Sequence, residues 1–323
     1  MILVVGQNSV WQKTYQFEEI VRGAVNRVSH HFESAAGKGS NVCRALAVYR
    51  IPSELHAYVG GANGTKFADS CHADGLATRF TTIAGETRNC VTLLEADGTM
   101  TELVEAAPQI SDEEREHAHR AVRERIRAAS MLAIGGTAMT GESDDCYLDF
   151  VHWAREQHVP VILDSYRSHG KRALDAHPQI LKINRDELAE LSGLSVDTED
   201  DRVAAYRLLA DRYDLRWIVI THGKAGAEGY NGHAVVAVTP PTVTAVNPIG
   251  SGDSVTAGVI AALVATGRRF DECWPDENVL RAAVLEGVAC GTANCMNRKP
   301  GHIEPADLEW VRTECTVSHR TLQ

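Results

Sequence analysis

Gly250-Ser251-Gly252-Asp253 is the stretch whose residue types and spacing could most directly do chemistry. It follows Asn247-Pro248-Ile249 and leads into an apolar run from Ser254 to Ala265 that reads as a buried helix. Pro248 interrupts whatever precedes it, and the two glycines reach backbone angles that other residues resist. The first N–H groups of a helix lack partners and carry partial positive charge. Gly250, Ser251 and Gly252 could turn such groups onto an anion with no side chain in the way. Asp253 then stands on the first turn, at the rim of the anion hole. A carboxylate there is a poor device for merely holding phosphate, but a sensible one for moving a phosphoryl group to a hydroxyl. The N–H groups would stabilise charge on the phosphoryl oxygens, and Asp253 would take the hydroxyl proton. The plain alternative is a tight turn with Asp253 as a simple cap. The apolar helix behind the motif, and a second glycine-rich motif upstream, weigh against it.

That second motif is Ala36-Gly37-Lys38-Gly39-Ser40-Asn41, two glycines just before a helix predicted over Ser40 to about Arg50. Its backbone suits close approach by a ligand, and Asn41 offers both a donor and an acceptor to a polyol. Asn184-Arg185-Asp186-Glu187 opens another helix and puts Asn184 and Glu187 on one face. The pair could order waters around Mg2+ or form a capping box, and the two readings are compatible. Thr221-His222-Gly223-Lys224-Ala225-Gly226 follows a buried strand, where its glycines would let phosphates or ribose lie against backbone. Asp164, Asn184, Thr221 and the Gly250 loop all fall at or just past predicted strand ends, the edge where open α/β sheets bind ligands.

These residues must be positioned by a chain of 323 residues, 44% of them hydrophobic, enough for a sizeable core. Lys and Arg number 32 and Asp and Glu 43, a net charge of −11 that argues against nucleic-acid or membrane-surface partners. The eight cysteines form no Cys-x-x-Cys pair and read as buried thiols of a reducing, cytoplasmic setting. The histidines do not make a metal set. No leader is evident at the start, and no apolar run reaches the ~18 residues of a membrane span. Strands are expected at Ile2–Val5, Thr14–Phe17 and Asn26–Phe32, and a hairpin around Asp97-Gly98. From Ser111, whose capping signature opens a helix, strand and helix alternate, which predicts a mostly parallel α/β sheet with helices on both faces. Tyr230-Asn231-Gly232-His233 reads as a type I′ hairpin turn.

The two glycine motifs, in this order and at this separation, resemble the two signatures of the ribokinase (PfkB) family of carbohydrate kinases, and the resemblance spans nearly the whole chain. The opening through about Asn41 looks closest to the 1-phosphofructokinase and tagatose-6-phosphate kinase branch. The resemblance implies one ribokinase-like domain over 1–323, with a small β-sheet lid from about 10–35 and about 86–107. It implies an ATP-dependent kinase of a sugar or sugar phosphate, with Mg2+ and with a homodimer formed through the lid. Asp253 would be the base and Gly250–Gly252 the anion hole. Gly37, Gly39 and Asn41 would hold the sugar, with Lys38, Arg88 and Arg27 toward a substrate phosphate. Thr221, Gly223, Lys224, Gly226, Asn247 and Asn294 would surround the nucleotide. Gln12 stands where the family has a sugar-binding Asp, so the reaction type is better marked than the substrate. A kinase of a neutral sugar or nucleoside, or a non-catalytic sugar-binding regulator, stays open.

Overall fold

A computed structural model describes residues 1–28 and 30–322. Its strands are β1 (Ile2–Asn8), β2 (Val10–Phe17), β3 (His30–Ala36), β4 (Ser53–Val59), β5 (Ala77–Thr82), β6 (Asn89–Glu95), β7 (Met100–Val104), β8 (Met131–Gly135), β9 (Val161–Asp164), β10 (Ile180–Asn184), β11 (Trp217–Thr221), β12 (Ala227–Tyr230), β13 (Ala234–Thr239) and β14 (Thr316–Thr321). Ten of them form one sheet in the order β14-β13-β12-β11-β10-β9-β8-β1-β4-β5, and β3-β2-β6-β7 form a second. The large sheet is parallel from β5 across to β11 and antiparallel from β11 to β14.

The central strands are apolar on both faces because helices cover both. Ile2 and Val4 of β1 enter one core, with Met131, Ile162, Ile180 and Trp217. Leu3 and Val5 enter the other, with Leu132, Leu163, Leu181 and Ile218. Alternate residues of a strand point to opposite faces, so a continuous hydrophobic run supplies two cores at once. Helices Lys38–Val48, Ser251–Ala265 and Glu277–Cys295 pack on the first face. Helices Asp112–Ile126, Cys146–Glu156 and Glu199–Tyr213 pack on the second. Ser251–Ala265 lies unusually close to Glu277–Cys295: a Cβ at Gly258 would fall 2.4 Å from the Glu286 carbonyl oxygen. That contact leaves no room for a side chain.

Most predicted elements are present, with four corrections. Asn26, Arg27 and Val28 lie in a loop and not in a strand, and Ser29 lies outside the described residues. Asn26 Oδ1 accepts from Val21 N, and its Nδ2 donates to Val21 O and Ala24 O, so a side chain closes a local turn in place of a ladder. Asn231 does not adopt the left-handed conformation that a type I′ turn needs. Its Oδ1 instead accepts from the amides of His233 and Ala234. The helix expected from Ser40 begins at Lys38, inside the glycine motif. Sequence patterning also misses β5 and the short helix Ser168–Leu174, and it misses β14, whose residues are largely exposed and carry no burial signal. All eight cysteines are free thiols. No described helix is long and apolar enough to cross a membrane.

His56, on β4, is 1% exposed and neither ring nitrogen has a hydrogen-bond partner. Burial, reinforced by Arg79, His117 and His119, pulls it from 6.5 to about 4, against the opposing Glu142. The native state keeps this ring neutral, while the unfolded chain accepts a proton near 6.5. Its contribution is therefore intact above that pH and drains away on acidification toward 4. In denaturant titrations at pH 7.5 and 4.5, the wild type should lose roughly 2 to 3 kcal/mol more stability than His56→Phe. Equal losses would show that His56 titrates alike in both states.

Candidate active site

The two glycine motifs meet at the carboxyl edge of the large sheet. Gly37 caps helix Lys38–Val48 with φ 115°, and Gly250 caps helix Ser251–Ala265 with φ 81°. Both angles lie in the region that strains any side-chain-bearing residue. Gly39 sits directly on β1, since a Cβ there would come 2.8 Å from the Cα of Gly6. This seating brings Asn41 to Asp253. Asn41 Nδ2 donates to Asp253 Oδ2 at 2.7 Å, and both residues are buried.

Asn41 is itself held. Its Oδ1 accepts from Arg44 Nη1 at 3.2 Å, and Arg44 also donates to Ala35 O, Pro300 O and Asp74 Oδ2. Lys299 pairs with the other oxygen of Asp74. Arg44 is 5% exposed, so this is a fixed brace. The sequence reading gave Asn41 to the sugar; the structure engages both of its polar atoms within the protein.

Next to Asp253 lies a charge cluster that the motifs did not announce. Asp164, at the end of β9, accepts from Lys38 Nζ at 2.6 Å, from Lys182 Nζ at 3.1 Å and from Thr256 Oγ1 at 2.9 Å. Burial alone would raise Asp164, but Lys182 and Lys38 outweigh it and hold the carboxyl low. Burial works the other way on Lys38, yet Asp164 and Asp253 together raise it. Asp253 is pushed up from the usual carboxylate range, first by burial and then by the charge of Asp164. Lys38, Lys182 and the Asn41 bond oppose that rise. One sequence signal did point to Lys182: it is a lone cation within the apolar strand Ile180-Leu181-Lys182-Ile183.

A cleft of about 480 Å3 opens beside the Gly250 loop. Thr221, Gly223, Lys224 and Gly226 line one side, Ser251 and Gly252 the mouth, and Val255, Val288 and Gly291 an apolar wall. Asn247 and Asn294 stand behind that wall. Asn247 Nδ2 donates to Arg298 O and its Oδ1 accepts from Ile249 N. Asn294 donates to Ile249 O and Ser251 Oγ and accepts from Gly301 N. Both asparagines fix the glycine loop and neither lines the cleft. On the other side of Thr221 a hollow of about 650 Å3 is lined by Asn184, Asp186 and Arg202. Asn184 and Glu187 form the reciprocal capping box. Glu187 Oε2 is used there, and Oε1 has no described partner. That oxygen could accept from a water bound to a hard cation, whereas the free Asn184 amide NH2 is a donor and its Oδ1 is spent on the cap.

The smaller sheet carries the remaining candidates. Gln12 is 3% exposed and donates to Thr92 Oγ1 at 2.8 Å. Arg88 donates to Glu105 O from Nη1, its Nε is buried without a partner, and no described carboxylate pairs with it. Arg27 is exposed on the loop between β2 and β3.

The profile of the pfkB family carbohydrate kinases matches residues 1–307. A tagatose-6-phosphate kinase of Staphylococcus epidermidis is 30% identical over 319 residues, covering 98% of this chain and 99% of that protein. Among solved structures, phosphofructokinase-2 from Escherichia coli superposes with a TM-score of 0.86 at 21% identity, over 97% of this chain and 98% of that one. A possible 1-phosphofructokinase from Thermotoga maritima gives 0.84 at 21% identity, over 100% and 99%. The structural likenesses establish the ribokinase-like fold. With the match over nearly its full length, the chain belongs to the pfkB family of carbohydrate kinases.

Proposed function

We propose that this kinase moves the terminal phosphoryl group of ATP onto a hydroxyl of a ketohexose phosphate, a reaction of the tagatose-6-phosphate kinase or 1-phosphofructokinase type. One observation carries the reading: a buried carboxylate, Asp253, is held by Asn41 at the glycine mouth of a helix. A nucleotide-sized cleft lies on one side of that mouth. The family supplies ATP as the donor, and the named relatives act on sugar phosphates by their names.

In this reading the amides of Gly250, Ser251 and Gly252 hold the phosphoryl oxygens, and Asp253 orients the acceptor hydroxyl and takes its proton. The raised proton affinity of Asp253 suits a base that must accept a proton near neutral pH. Thr221, Gly223, Lys224 and Gly226 contact the nucleotide along the cleft. Mg2+, reached through water by Asn184 and Glu187, would neutralise triphosphate charge. The sugar lies between the Gly37–Gly39 loop and the smaller sheet, which acts as a lid excluding water. Lys38 and Arg88, with Arg27 as a further cation, face its phosphate. Exposed Met100, Leu103 and Val104 on β7 favour pairing of two lids in a homodimer.

A neutral sugar as substrate is the second reading. Gln12 does not choose between a neutral and a phosphorylated sugar, since the carboxylate it replaces in the family grips hydroxyls that both carry; its neutral amide, spent on Thr92, bears instead on a sugar-binding regulator. A regulator without turnover has less support, because Asp253 and its glycine mouth are intact.

Two variants test the reading. Asp253→Asn should lower kcat by about a hundredfold or more while sugar KM changes little. Turnover near wild type would remove Asp253 from the role of base. Arg88→Ala should raise KM for a sugar phosphate about tenfold or more, and leave KM for the matching neutral sugar nearly unchanged. Equal effects on both would favour the neutral substrate.

A further inference from the structure

Arg44 lies one helical turn past Asn41 on helix Lys38–Val48, so the two side chains share a face. It is a lone cation in the apolar run Val42-Cys43-Arg44-Ala45-Leu46, and it is buried. A buried guanidinium is costly unless its N–H groups find acceptors. Nε donates to Asp74 Oδ2 at 2.7 Å, Nη2 to Ala35 O at 2.6 Å, and Nη1 to Pro300 O and Asn41 Oδ1, both at 3.2 Å. Gly301 closes over the pair, since a Cβ there would lie 2.6 Å from Asn41 O and 3.1 Å from Arg44 Cβ. An asparagine amide has nearly the same shape either way round, yet only its NH2 end can serve a carboxylate. The guanidinium can only donate, and an ionised Asp253 can only accept. Between them the amide has a single orientation, with Oδ1 to Arg44 and Nδ2 to Asp253 at 2.7 Å. Turned over, it would set acceptor against acceptor, and Asp253 would lose its amide donor.

We propose that Arg44 is a positioning residue for the base: by occupying Asn41 Oδ1 it holds the amide with its N–H groups toward Asp253. This rests on the reading of Asp253 as the base given above. Arg44 touches no substrate and acts only through Asn41. Asp74, shared with Lys299, steadies the guanidinium at its far side. One consequence is aim. The Asn41 bond fixes one oxygen of Asp253 and leaves the other to receive the hydroxyl proton. The second is proton affinity. The charged groups facing Asp253 are Lys38 on the helix of Asn41, Asp164 at the end of β9 and Lys182 on β10. Burial and Asp164 push the proton affinity of Asp253 up, while the two lysines and the Asn41 bond oppose that rise. A carboxylate that loses a donor holds its proton more tightly. Without Arg44, Asp253 would stay protonated to higher pH, and a protonated base is idle.

The test compares full-length wild type with Arg44→Lys, which keeps a charge beside Asp74 but has no planar fork to reach Asn41 Oδ1 at the same time. The Asp253 carboxyl is titrated by carbon-13 NMR, its resonance assigned by its loss in Asp253→Asn. In parallel, kcat is followed down the acid limb of its pH profile. Expected in Arg44→Lys are a carboxyl titration and an acid limb both moved up by about one pH unit. Plateau kcat should fall about tenfold, with KM for ATP within about threefold of wild type. In an Asn41→Ala background, adding Arg44→Lys should shift neither titration further, because the amide it acts through is gone. A merely structural role would lower stability or plateau turnover and leave both titrations in place. Unmoved titrations in a folded Arg44→Lys overturn the proposal, and so does a shift as large with Asn41→Ala as without it. If Arg44→Lys does not fold, Arg44→Gln is measured in the same way. Failure of both to fold assigns the arginine to the scaffold and overturns the proposal too. The carboxyl titration needs no turnover, so the two readings fail separately. Near-normal turnover in Asp253→Asn sinks Asp253 as the base, whatever Arg44 does. An unmoved carboxyl titration beside an inactive Asp253→Asn sinks only Arg44.

Discussion

A hydrogen bond across 212 positions, from Asn41 to Asp253, joins the mouths of two helices into one site. Gly250 and Gly39 are what permit it. A side chain on residue 250 would place a Cβ 3.2 Å from Asn41 Nδ2, and one on residue 39 would collide with β1. Neither helix could then bring its polar residue to the shared point. The Arg44 brace makes the arrangement rigid, because its guanidinium holds Asn41 on one side and the loop at Pro300 on the other. Geometry of this kind costs little during reaction, since the dipoles are already in place.

The electrostatics follow from crowding like and unlike charges at that point. Asp164 and Asp253 repel, and only Lys38 and Lys182 make it tolerable to bury both. The two carboxylates consequently part company. Asp164, gripped by both lysines and Thr256, stays ionised. Asp253, with a single amide donor, is left the more basic of the pair. Environments that push two neighbouring acids apart give them different work, one a fixed counter-ion and one able to accept a proton.

Much of this was legible in the sequence. Continuous apolar strands alternating with capped helices specified a two-faced parallel sheet, and the capping boxes at Ser111 and Asn184 formed as written. The elements that escaped carry no burial signal, as with β14, or depend on one side chain closing a turn, as with Asn26 and Asn231. The site was legible where it is built from backbone. A glycine in front of a buried helix has few reasons to be there, so Gly37, Gly39, Gly250 and Gly252 are conspicuous. Asp164 was marked only by its place at a strand end on the binding edge, and Lys182 only by the oddity of a charge in an apolar run; tertiary proximity brings them to one point. Asn247 and Asn294 lie in the right motifs but support the loop from behind, a distinction that sequence spacing cannot express.

The same contrast explains why the reaction class reads more clearly than the acceptor. A migrating phosphoryl group presents the same oxygens whatever sugar receives it. In the proposed reading, the amides of the Gly250 loop and one carboxylate serve it, and they sit on the sheet edge. The acceptor is proposed to meet side chains of the smaller sheet, where a change such as Gln12 alters what is bound without disturbing the ladder that carries it. Gln12 already satisfies its donor on Thr92, and Thr14 Oγ1 and Ser34 Oγ are buried there without partners. These are uncharged groups, and unpartnered hydroxyls cost free energy until something hydrogen-bonds them. A polyol presents hydroxyls that both donate and accept, but Gln12, Thr14 and Ser34 are 3%, 0% and 2% exposed, so it would meet them only if the smaller sheet moves. In the proposed reading, a neutral amide at position 12 leaves recognition of the sugar to shape and uncharged hydrogen bonds rather than to charge.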